Sequence, residues 1–114
     1  MPHFVLDCSG NILEKKNAME IMLKVHDTAN ATGLFDPGDI KVRINPFDHY
    51  INGNDQADFI HIFANIMEGR TTKQKHDLSK RIMATLKEMF PKVPILSINI
   101  RDFERATYSN RSMV

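Results

Sequence analysis

The chain alternates from its first residues. His3, Val5 and Asp7 fall on one side and Phe4, Leu6 and Cys8 on the other, which predicts a strand over residues 2–8. Ser9-Gly10-Asn11 then breaks the alternation with turn and helix-capping residues. From Leu13 to Thr32 the apolar period lengthens: Ala18, Ile21, Met22, Val25 and Ala29 share one helical face, and Gly33 suits the end of that helix. Phe35-Asp36-Pro37-Gly38-Asp39 is a loop, and Ile40, Val42 and Ile44 alternate with Lys41, Arg43 and Asn45 as a second strand with a cationic face. Asn52-Gly53-Asn54-Asp55 is the most turn-prone stretch and divides the chain.

The second half follows the same plan. Ile60, Ile62, Ala64 and Ile66 give a third strand over Phe59 to Met67, with Phe59, His61, Phe63 and Asn65 opposite. Gly69-Arg70-Thr71 is a strand-to-helix turn with Thr71 or Thr72 as the cap. A helix follows with Leu78, Ile82, Leu86, Met89 and Phe90 on one face, stopping before Pro91. Ile95 to Phe103 is a fourth strand, and Glu104 to Val114 is a polar, irregular tail. Laying Gly10 on Gly69 brings Lys16 onto Lys75, so the halves repeat in architecture with little shared sequence. The expectation is one α+β domain, 1–114, built from two β-α-β halves of about 1–52 and 53–114. Right-handed crossovers then place both helices on one face of a four-stranded sheet. The other face, with Lys41, Arg43, His61, Phe63, Ser97 and Asn99, is too polar for a dry core and too apolar for free solvent, which points to a subunit interface.

Composition narrows the function classes. Fifteen basic and 14 acidic residues give a net charge of +1, so no broad field favours nucleic acid or an anionic membrane. No apolar run has the length of a membrane span, and no signal sequence opens the chain. With Cys8 alone, an internal disulfide is excluded, and a cytoplasmic location is expected. The five histidines (His3, His26, His49, His61 and His76) show no metal-site spacing, and no metal is expected. Cys8 continues an apolar strand face and reads as a packed thiol; Ser79 and Ser97 lack a nucleophile-elbow pattern, and no glycine loop for phosphate is present.

Pro2 is the residue with chemistry to offer. Removal of Met1 turns its nitrogen into a secondary amine, and burial or nearby cations then lower its pKa toward that of a neutral base. If Met1 stays, that nitrogen is an amide and no such base exists; Pro2 also fits a plain strand start. Arg70, between a strand and a helix, is either a bidentate carboxylate ligand or a solvated arginine after a turn. Lys41 and Arg43 share a strand face and suit a second carboxylate or an interface.

Together these residues resemble the tautomerase superfamily. Pro2-His3-Phe4 with Asp7-Cys8-Ser9 and Asn11-Ile12, and Ala31-Thr32-Gly33-Leu34-Phe35 leading into Ile40-Lys41-Val42-Arg43-Ile44, are similar to bacterial 5-carboxymethyl-2-hydroxymuconate isomerases. Glu68-Gly69-Arg70-Thr71 with Gln74-Lys75 and Leu78 is similar to the short 4-oxalocrotonate tautomerases. The likeness spans all but the tail. It implies a homotrimer of β-α-β-β-α-β subunits, with sites around N-terminal prolines near the subunit boundaries. It implies Pro2 as the base in a cofactor-free tautomerisation of an unsaturated carboxylate, and Arg70 as a carboxylate ligand. Lys41 stands where close relatives have arginine, which shifts part of that role to Arg43; Asn11 is the first-half counterpart of Arg70. Two alternatives stay open: a hydratase or dehalogenase of the same superfamily, for which neither Asp7 nor Glu104 is obviously placed, and a non-catalytic oligomeric binding protein. The tail, with Tyr108 and Arg111, is left as a cover of undetermined role.

Overall fold

The structure is a computed structural model describing residues 1–114. Its elements in order are β1 (His3–Ser9), α1 (Ile12–Lys15), α2 (Ala18–Ala31), β2 (Lys41–Phe47), β3 (Phe59–Met67), α3 (Thr72–Met89) and β4 (Ile95–Phe103). The sheet runs β2-β1-β3-β4, with parallel pairs β1/β2 and β3/β4 joined by an antiparallel β1/β3 centre. This is the four-stranded arrangement that the alternation predicts, with each parallel pair supplied by one half of the chain.

Alternation decides what is buried. Phe4, Leu6 and Cys8 from β1 and Ile60, Ile62, Ala64 and Ile66 from β3 lie on the helical side of the sheet, all at most 1% exposed. Ile21, Val25 and Ala29 of α2 and Leu78, Ile82 and Leu86 of α3 complete the same core. The two long helices lie side by side: the Thr28 and Thr85 hydroxyls are 2.8 Å apart, and Arg81 donates to the Ala31 carbonyl. The Cys8 thiol lies in this core, where burial and then the Asp7 charge push its pKa up to about 11, so it is an inert packing group.

One prediction needs correction. The apolar spacing reads as one helix from Leu13 to Thr32, but the chain makes a single-turn α1, passes through an extended Lys16 and restarts at Ala18. Asn17 causes the restart, because its side chain accepts from the Glu20 amide and caps α2, an alternative to helix that asparagine offers readily. At α3 the choice between two threonines is resolved: Thr71 is the cap and forms a capping box with Gln74. The tail is also more ordered than its composition implies. It forms two short 3₁₀ turns, Arg105–Thr107 and Arg111–Met113.

The other sheet face is left uncovered by this chain. His3, Val5 and Asp7 pair across to His61, Phe63 and Asn65 and to Lys41, Arg43 and Asn45, none of them buried. His61 is fixed at the middle of this face, its Nδ1 2.6 Å from Ser97 Oγ and its Nε2 2.7 Å from Asn99 Oδ1, with its ring edge-on to Phe63.

Candidate active site

Two turns converge where β1 begins. The first follows α2, where Gly33 takes a positive φ of 74° and the chain runs through Leu34 and Phe35 to a 3₁₀ turn capped by Asp36. The second follows β3, where Gly69, at φ 120°, turns the chain into α3 and sets Arg70 between them. Arg70 stitches the turns together. Its Nη2 donates to the Leu34 carbonyl at 2.7 Å and its Nη1 to the Met67 carbonyl at 3.2 Å, while the guanidinium lies 5.0 Å from the centre of the Phe35 ring. Phe35 in turn meets Phe4 edge-to-face, which locks the stack to β1. Arg70 is therefore a fixed, half-buried cation with N–H groups to spare, not a solvated side chain.

Pro2 sits at the start of β1 on the helical side, fully buried, its carbonyl accepting from the Lys41 amide. The chain's amino group, here on Met1, lies among charges from four elements. Burial lowers its pKa most; Arg70, Lys41 and Arg105 lower it further, and Asp39 opposes them. Lys41 is held in place through a 3.0 Å bond from Nζ to the Asp39 carbonyl. Arg105 is reached through the tail, whose backbone amide at this residue donates to Glu68 Oε2 at 2.7 Å. Arg70, Arg105, Glu68, Gln74 and Leu34 line an open cleft of about 410 Å³.

Arg43 does not join this group. It extends along the uncovered sheet face into a separate cleft of about 430 Å³ beside His3, Asn65 and the tail residues Glu104 and Tyr108, and its Nη1 bonds His3 Nδ1 at 3.1 Å. Of the four residues singled out from the sequence, Arg70 and Lys41 act on the amino group at the chain start beside Pro2, while Arg43, two residues along the same face of β2 from Lys41, reaches into the cleft beside His3. Arg105, His3 and Tyr108 complete the surroundings. Sequence reasoning gave Arg105 no role, because nothing in its local pattern shows that the tail folds back across Glu68.

A model of the 5-carboxymethyl-2-hydroxymuconate isomerase family matches residues 2–113. The chain belongs to this family. It is 29% identical over 92 residues to the 5-carboxymethyl-2-hydroxymuconate Delta-isomerase of Escherichia coli, covering 79% of this chain and 73% of that protein. A 5-carboxymethyl-2-hydroxymuconate isomerase from Deinococcus radiodurans R1 superposes with a TM-score of 0.85 at 23% identity, over 96% of this chain and 88% of that one. A fused 4-OT solved as a symmetric trimer gives 0.79 at 15% identity, over 96% and 93%. At such identities these two structures speak for the shared fold, and it is the match of the isomerase family over residues 2–113 that gives the family.

Proposed function

We propose that this chain is a cofactor-independent isomerase that converts 5-carboxymethyl-2-hydroxymuconate, or a similar 2-hydroxy-dienoate polycarboxylate, to its 2-oxo tautomer with the Pro2 amine as general base. The observation that carries this reading is the setting of the chain start: the amino group, on Met1 in this structure, is partly desolvated among Arg70, Lys41 and Arg105, directly beside the buried Pro2. Such a setting disfavours the ammonium form and supplies cations for the carboxylate next to the enol.

In this mechanism Met1 is removed and the free amine of Pro2 takes the proton of the 2-hydroxyl. The O–H electron pair becomes the C2 carbonyl, the conjugated double bonds shift one place, and the same amine returns the proton to the distal carbon of the diene. No electrons are gained or lost, so the reaction calls for no redox partner. Arg70 holds the carboxylate beside the reacting carbons through the N–H groups not bound to Leu34 and Met67; Lys41 and Arg43 hold carboxylates farther along the substrate. The working form is a cytoplasmic homotrimer. That is supported by the uncovered sheet face, by a chain in which only 21 of 114 residues are buried, and by the trimeric neighbour.

The test is ketonisation of 5-carboxymethyl-2-hydroxymuconate followed by ultraviolet absorbance. Pro2→Ala is expected to lower kcat by at least about 100-fold, the scale of general acid–base catalysis, while KM moves little. Unchanged kcat would rule out the proline mechanism.

A further inference from the structure

The cleft on the uncovered sheet face contains a contact that the proton transfer does not use. Arg43 Nη1 donates to His3 Nδ1, and since a guanidinium only donates, that ring nitrogen is unprotonated. Arg43 forms no ion pair; the four ion pairs of the chain are made by other residues. A long cationic side chain is thus steadied by a neutral acceptor, and no carboxylate neutralises it. Glu104 lines the same cleft without pairing with it. The tail closes the far wall, where Tyr108 stacks on Phe103 with ring centres 5.4 Å apart.

We propose that His3 is a positioning residue whose neutral imidazole holds Arg43 in the tail-lined cleft as the grip for the carboxymethyl arm of the substrate. This rests on the isomerase reading above and adds to it a basis for preferring a tricarboxylate over an acid without that arm. The groups facing the imidazole are the cations Arg43 and Lys41 from β2 and the chain's amino group, with Glu104 and Tyr108 of the tail across the cleft. Burial, then Arg43, Lys41 and the amino group keep His3 below the ordinary histidine pKa of 6.5, so it stays an acceptor into mildly acidic solution. Below that range protonation sets two cations against each other and releases Arg43.

The experiment compares 5-carboxymethyl-2-hydroxymuconate with 2-hydroxymuconate, which lacks the arm. In His3→Leu, KM for the first is expected to rise roughly tenfold, as for loss of a bond to a charged group, with kcat and the KM for the second nearly unchanged. In His3→Gln, whose amide oxygen still accepts from Arg43, KM is expected to recover, and the rise of KM at acidic pH expected of the wild type to vanish. Equal effects on both substrates, or a fall in kcat alone, would overturn the proposal. A second readout does not depend on turnover: the His3 ring is followed by NMR against pH, with its signal assigned by its loss in His3→Gln. Arg43→Ala is expected to raise the His3 pKa, and an unmoved titration would refute the contact even in a protein found to lack isomerase activity.

Discussion

At the residue scale, Arg70 has two duties that a single substitution separates. Two of its N–H groups fasten the Leu34 and Met67 carbonyls, and its face covers Phe35, so its loss loosens two turns as well as removing a charge. Arg70→Ala should raise KM for dicarboxylates by about 10- to 100-fold, corresponding to roughly 1.5–3 kcal/mol for a hydrogen bond to a charged group, and should also lower Tm. Arg70→Lys should keep part of the charge without the planar fork; a KM equal to the wild type's in both variants would take Arg70 out of the site. The amine makes a prediction about pH. The amino group carried by Met1 in this structure has a pKa lowered from the usual 8.0, chiefly by burial. The Pro2 amine that replaces it on removal of Met1 is expected to share that direction, so that its neutral form persists at pH values where a free terminus would be charged. As a base, its activity in kcat/KM should rise with pH through that lowered value and then level off. A profile that falls with rising pH over the same range would indicate an acid proline, as in the hydratase and dehalogenase alternative. Stability has the same sign: it rises with pH between the lowered value and 8.0, because the unfolded chain holds the extra proton there.

At the element scale, the site depends on where α3 starts. Thr71 and Gln74 satisfy each other's backbone amides, and Gly69 adopts a φ of 120° that side chains rarely tolerate. Thr71→Ala should cost about 1 kcal/mol and Gly69→Ala about 1–3 kcal/mol, read as falls in the denaturation midpoint. An unaffected midpoint in Gly69→Ala would mean that the turn relaxes without strain. These elements were legible in sequence, because alternation in Ile60, Ile62, Ala64 and Ile66 and the spacing of Leu78, Ile82 and Leu86 are periodic signals. The break between α1 and α2 was not, since Ile12 and Ile21 both face the core and only the Asn17 cap separates their helices. Nor was the tail: Glu104 to Val114 has no period, and what orders it is the Glu68 carboxylate, distant in sequence, together with the Phe103 ring on which Tyr108 folds back. Pro2 and Arg70 were identifiable as candidates, while the cleft that Arg43 shares with His3 and the tail needed the third dimension.

At the scale of the whole molecule, the unfinished element is the sheet face. His61, Ser97 and Asn99 form a polar line beside Phe63, which is 37% exposed in a single chain. A second copy covering this face explains how such a surface stays soluble. Sedimentation should give three times the 13.1 kDa of one chain, and Phe63→Asp should yield smaller species with much reduced turnover. A monomeric wild type with full activity would remove the trimer from the account. The claim beneath all of this is that chemistry begins at the nitrogen of Pro2. The most direct test is the rate of 2-hydroxymuconate ketonisation by two preparations distinguished by intact mass, one without Met1 and one retaining it. The account predicts rapid ketonisation only without Met1, with a loss of at least about 100-fold when the Pro2 nitrogen is an amide. Equal rates in the two preparations would contradict it.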